Sequence, residues 1–169
     1  MVGVAALGVI SSAYFFRQAR FSGETLWVSL LFFVGIITSD LFAALIPAFQ
    51  SRISASVTLW VGGTLVLGPP QALVTAVLAT FASELYLRFP LIRKRDPMGF
   101  YFLAFNTGQV AVILGVGALL FKAINAPQGG LFTLLDFGKA GLLFVCSVLL
   151  NSGMVSGIVA LATRQPFQY

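Results

Sequence analysis

Histidine is absent from the chain, and cysteine occurs once, as Cys146. The first absence excludes imidazole metal sites and His-based acid–base catalysis. The second excludes an intrachain disulfide. Charge is scarce as well: only 9% of the 169 residues are Asp, Glu, Lys or Arg, against about a quarter in soluble domains. The sequence carries no phosphate-binding loop, nucleophile elbow, metal-ligand spacing or internal repeat. Its basic residues are not interleaved along an aromatic face, as a nucleic-acid site requires. The chain is thus expected not to be an enzyme and not to bind nucleic acid. No metal or covalent cofactor site is evident, and any cofactor is left unknown.

Apolar bulk is what the chain has. Hydrophobic residues make up 59% of it, with 17 Phe, and the mean hydropathy is +0.98. A soluble fold of this size leaves too much surface exposed to hide that content. The composition predicts one all-α integral membrane domain over residues 1–169, made of little besides its spans. The Phe residues are expected at helix interfaces and against lipid.

A spanning helix needs about 20 mostly apolar residues, whereas barrel strands alternate with period two over about ten. The long unalternating runs predict helices, and six segments qualify: Val2–Phe16, Leu26–Ile46, Ile53–Leu67, Gln71–Leu87, Phe100–Phe121 and Leu134–Thr163. The first and third are short. Such segments must thin the bilayer, lie in its interface or be covered by protein. Gly68, Pro69 and Pro70 predict a tight hairpin between segments three and four, because Pro lacks a donor and Gly frees the turn. Basic residues follow the first segment, at Arg17 and Arg20, instead of preceding it. That order favours a retained helix over a signal peptide.

Six spans place Arg52, Arg88, Arg93, Lys94, Arg95 and Arg164 on one side and Arg17, Arg20, Lys122 and Lys139 on the other. The dense cluster at residues 93–95 marks a cytoplasmic loop. Both termini are then expected on the cytoplasmic side of a bacterial inner membrane, with the +5 net charge acting on topology and anionic head groups.

Ionisable residues inside spans usually face the bundle interior or a wet cavity. Asp40, Glu84 and Arg52 gather near the same expected membrane face. The simplest reading is an i,i+4 pair between Glu84 and Arg88, with Asp40 capping or snorkelling at the interface. A ligand or proton site is the functional alternative. Asp136 and Lys139 form a further pair at the other face. Among the amides, Asn106 and Gln109 share a face of the fifth segment and Asn151 lies deep in the sixth. They should point inward, either as interhelical hydrogen bonds or as a polar pocket. Gly153 and Gly157, flanked by Ser152 and Ser156, have a GxxxG spacing, and Ala111 and Gly115 repeat a small-xxx-small spacing. Each puts small side chains on one face for close helix packing.

The order of these features carries a resemblance. A Pro-containing loop and Ser-rich stretch lead into a short span, Gly-Pro, and a span ending in an acidic residue. A basic loop, then "FNTGQVAVILGVGALLF" and "LLNSGMVSGIVALATRQPF", follow. Residues 26–166 resemble the multi-span amino-terminal sensory regions of bacterial signalling proteins that carry HD-GYP or GGDEF domains. The resemblance rests on Phe105, Asn106, Gln109 and Asn151. A fainter likeness links the short span and Gly-Pro hairpin to substrate-capture subunits of vitamin transporters. The resemblance implies a sensor that acts through a cytoplasmic effector. With no HD dyad in these residues, it implies no cyclic-dinucleotide chemistry.

Three functions stay open on this reading. The leading one is a non-enzymatic membrane sensor or scaffold domain that biases a cytoplasmic partner through its last helix. The second is a small structural or accessory subunit of a larger membrane complex, of the electron-transfer or photosynthetic kind. The third is a substrate-binding transporter subunit. Expected partners are the lipid bilayer and other membrane subunits or an effector domain.

Overall fold

The computed structural model of the protein describes residues 2–46, 51–53, 55–126, 128 and 133–163. Among them are six helices: α1 (Val2–Gln18), α2 (Gly23–Leu41), α3 (Ser56–Leu67), α4 (Pro69–Arg93), α5 (Pro97–Ala123) and α6 (Leu134–Thr163). Two short strands, β1 (Ala44–Ile46) and β2 (Ser51–Ile53), pair antiparallel between α2 and α3, with Leu45 opposite Arg52.

Four helices are long and apolar enough to cross a membrane: α2, α4, α5 and α6 over Leu134–Gly157. The protein is therefore a helical membrane protein, but length does not give six full spans. With 17 residues, α1 rises about 25 Å, and with 12, α3 rises only about 18 Å, short of a ~30 Å hydrocarbon core. Protein covers α3: Trp60, Val61, Gly63, Thr64, Leu65 and Leu67 are all buried.

Local signals fix the helix ends. Ser22 caps α2 in a reciprocal box with Thr25: the Ser22 N–H donates to Thr25 Oγ1 at 2.7 Å. Asp96 caps α5 by accepting from the Met98 N–H at 2.9 Å, with Pro97 in the first position, where its missing donor costs nothing. Gly68 ends α3 and caps α4 at once. Its φ of 86° is the left-handed region that glycine enters without strain. An added Cβ there would meet the Gln128 side chain at 2.5 Å, and Gln128 Nε2 donates to the Leu67 carbonyl at 3.3 Å. Gly68–Pro69–Pro70 thus joins two antiparallel helices.

Several segment boundaries differ from the sequence pattern. The second segment does not stay helical to Ile46, because the apolar run over residues 44–46 enters β1. The third starts at Ser56 instead of Ile53, which belongs to β2. The fourth does not stop at Leu87. α4 continues through Pro90 to Arg93, and Pro90 removes only the one bond its nitrogen would have given the Tyr86 carbonyl a turn earlier. The polar stretch after Leu87 is therefore mostly helix, and the loop shrinks to residues 94–96. It closes as a Schellman turn: the Asp96 N–H donates to Leu91 O at 3.0 Å and the Arg95 N–H to Ile92 O at 2.9 Å. Arg95 holds the φ of 56° that glycine usually supplies.

Contacts fix the helix directions. The Gln71 side chain donates to the Arg20 carbonyl and Ser83 to Asp40, so α2 and α4 run parallel. Gly8 meets Gly108, and Ser11 lies beside Gly115, so α1 runs parallel to α5. Gln109 meets Asn151, while Phe121 packs with Leu143, so α6 runs antiparallel to α5. The helices therefore alternate in direction, and the start of α1 and the end of α6 lie at the end that carries Arg93–Arg95.

The core centres on α4 and α5. Leu73, Ala76, Val77 and Ala79 of α4 pack with Val110, Ala111, Ile113 and Leu114 of α5, joined by Ile36 of α2 and Trp60 of α3. Half of the spanning window of each central helix is buried, against 11% in α2 and in α6. Small side chains on α4 and α5 permit this, since close backbone approach is the main source of attraction between helices in lipid.

Candidate functional site

The polar groups of the bundle are sorted by depth. In the middle, Gln109 is 4% exposed. Its Nε2 donates to the Asn151 side-chain oxygen at 2.8 Å and to the Asn151 carbonyl at 3.2 Å. One amide group thereby uses both hydrogens on a neighbouring helix, which removes two donors from hydrocarbon. Asn106 is half-buried one turn before Gln109 and takes no part in this pair.

Nearer the basic end, Ser83 Oγ donates to Asp40 Oδ2 at 3.0 Å and lies 3.0 Å from its own Thr80 carbonyl. This ties α4 to α2. Ser83 is 1% exposed, and sequence reading missed it because a lone Ser in an apolar run is unremarkable. Glu84 and Arg88 form an ion pair at 3.2 Å, with the guanidinium 4.9 Å from the Phe102 ring centre on α5. The aromatic face adds cation–π attraction to the pair. Arg52 is described only by its backbone in β2, and its side chain lies outside the described residues. At the opposite end, Asp136 pairs with Lys139 at 3.7 Å, and Thr133 Oγ1 donates to Asp136 at 2.7 Å to close the start of α6. Among the described residues, no three of His, Cys, Asp and Glu come together as metal ligands.

The two small-residue spacings have different fates. Ala111 and Gly115 face α1. Ser11 Oγ donates to the Ala111 carbonyl at 3.2 Å, and a Cβ on Gly115 would lie 2.5 Å from Ser11 Oγ. Sequence reading gave α1 no polar role, so this partner was missed. Gly153 faces open space, with nothing within 4 Å of an added Cβ. Gly157 follows one turn later, half-buried.

The α1–α5 approach also shapes a cavity. Gly8 and Gly108 touch backbone to backbone, so a Cβ on Gly8 would lie 2.5 Å from Gly108 Cα. Small residues around that contact, Ser12, Ala104 and Thr107, leave a crevice of 610 Å³ between α1, α4 and α5, walled by Phe16, Phe81 and Phe100. It is almost wholly apolar. Thr107 Oγ1 is buried without a hydrogen-bond partner among the described residues.

No protein-family model matches the chain, and no curated protein or solved structure matches it.

Proposed function

We propose that the protein is a non-enzymatic sensor or scaffold domain of the bacterial inner membrane, with α6 as its output element. The Arg93–Arg95 turn is taken as cytoplasmic under the positive-inside rule, so α6 would end on the side of a cytoplasmic effector. The observation that supports this reading is the uneven hold on the helices. Only 11% of the α6 window is buried, and its mid-membrane polar tie is the Gln109–Asn151 contact. A helix held by a mid-membrane amide contact, a Lys139–Asn125 contact at its start and a narrow apolar seam can adopt a second packing at a cost of a few kcal/mol, and a signal can bias that equilibrium.

The test is a distance measurement. Spin labels replace Leu119 on α5 and Leu142 on α6 in a Cys146→Ala background, and pulsed spectroscopy is recorded in lipid nanodiscs. The expected result is two α5–α6 distances whose ratio shifts in Gln109→Leu. A single distance common to both proteins defeats the sensor reading.

One observation favours a second reading, an accessory subunit of a larger membrane complex. Beyond Gly138, Gly141 and Gly153, all on α6, an added Cβ meets nothing within 4 Å. Small residues on an open helix face admit a neighbouring helix closely. Co-purification from native membranes at a fixed stoichiometry would support this reading, and recovery of the chain alone would exclude it.

A further inference from the structure

We infer that the crevice between α1, α4 and α5 is a specific site for an anionic phospholipid, with an acyl chain in the crevice and the phosphate on the Arg93–Lys94–Arg95 turn. The volume comes first. At 610 Å³, the crevice falls in the ~300–1,000 Å³ range of formed ligand sites. Its lining residues Val9, Leu78, Phe81 and Phe100 are 43–68% exposed, so it opens on the bundle surface. It lies between α4 and α5, both long enough to span, so the opening faces hydrocarbon. Acyl chains are the solvent there, and an aromatic-walled groove takes one up without exposing polar backbone.

Charge complementarity selects among lipids. Phe100, at one end of the crevice, is the fourth residue of α5. It stands about 5 Å along the axis from the helix start, directly after the turn that holds Arg93, Lys94 and Arg95. All three cations are exposed. The nearby carboxylate of Asp96 is engaged by the Met98 N–H, and Arg88 is held by Glu84. Basic groups at the head-group level beside a cleft between helices are the usual recognition device for anionic lipid, each cation adding attraction. Arg95 carries its charge at a left-handed position, φ 56°, where glycine would fit without strain.

Depth keeps the head group away from the Thr107 hydroxyl. Thr107 is ten residues beyond Pro97, about 15 Å along the helix. No phosphate or ester of a phospholipid anchored at the turn reaches that hydroxyl. The crevice therefore reads the chain, and the turn reads the head group.

The site is tested on the full chain with two lipids of identical chains, dioleoyl phosphatidylglycerol and dioleoyl phosphatidylcholine. Lipid retained through detergent washing is counted by native mass spectrometry. The phosphatidylglycerol is expected to be retained several-fold over the phosphatidylcholine. Arg93→Gln/Lys94→Gln/Arg95→Gln should abolish that preference, and Ala104→Phe should displace both lipids by filling the crevice. Equal retention of the two lipids by the wild-type chain overturns the proposal. Should Ala104→Phe fail to fold, the wild-type protein still decides. Phosphatidylglycerol bearing a photoreactive acyl chain should label Val9, Leu103 and Ala104 above the exposed faces of α2 and α6. Even labelling over all lipid-facing helices overturns the proposal.

Discussion

Gln109 on α5 holds Asn151 on α6 by two contacts from one nitrogen, 2.8 Å to the side-chain oxygen and 3.2 Å to the backbone carbonyl. Gln109 is buried while Asn151 is only half-buried. The two ends of the bond are therefore unequal: losing the Asn151 side chain leaves Gln109 its bond to the Asn151 carbonyl, whereas losing Gln109 removes both contacts at once.

The first prediction follows from that inequality. Gln109→Leu and Asn151→Leu should each destabilise the protein in bicelles by about 1 kcal/mol, with Gln109→Leu the worse. The double variant should cost less than the two singles together, by about 0.6 kcal/mol, the average for such pairs. Denaturant unfolding of all four proteins measures this. Additive effects would show that the contact carries no coupling.

A second prediction concerns the α1–α5 contact. Gly8→Ala puts a methyl 2.5 Å from Gly108 Cα, against backbone that cannot step aside. Overpacking of this kind costs about 1–3 kcal/mol. Gly3 is also in α1 but has nothing within 4 Å, so Gly3→Ala should be neutral or slightly stabilising. Equal melting temperatures for the two variants would contradict the close approach.

Gly68 gives the third. Its φ of 86° and the Gln128 side chain oppose any Cβ, so Gly68→Ala should cost about 1–3 kcal/mol, the range for a residue held in a strained region. Pro69→Ala and Pro70→Ala should cost less, about 0.4–1 kcal/mol each, because they act mainly by loosening the unfolded chain. Thermal unfolding in detergent ranks the three. A melting profile unchanged by Gly68→Ala would remove the turn as a structural element.

Topology supplies the fourth. In a Cys146→Ala background, Lys94→Cys should stay unlabelled by an impermeant thiol reagent in intact bacteria and become labelled on permeabilisation. Gln128→Cys, at the other end of the bundle, should be labelled from outside. The reverse pattern would invert the orientation proposed from the positive-inside rule.

Several features were legible because they are local. The Gly-Pro-Pro turn needs only glycine's freedom and proline's fixed φ. The Glu84–Arg88 pair needs only helical spacing. The strands were not legible: residues 44–46 and 51–53 are as apolar or ambiguous as the helices beside them, and their pairing depends on a partner across a loop. The run to Arg93 was hidden because Pro90 reads as a stop, although inside a helix it removes only a single backbone bond, here the one to the Tyr86 carbonyl. The second half of each polar contact was also hidden. Asp40, Gln109 and Asn151 stand out in apolar runs, but nothing in the sequence tells Ser83 or Ser11 from other hydroxyls.

Composition by itself determined that this chain is a helical membrane protein, because so much apolar surface and so little charge are compatible with no aqueous fold and with unalternating spans. It did not determine which helices lie inside. α2 and α4 are both apolar enough to span, yet 11% of one window is buried and 50% of the other. In lipid, apolar content does not drive a helix inward, since the surroundings are equally apolar. Position is decided by where small side chains on two helices match, as Gly8 matches Gly108, and by which amides and hydroxyls find partners. Those are relations between distant parts of the chain, and only the tertiary structure brings them together.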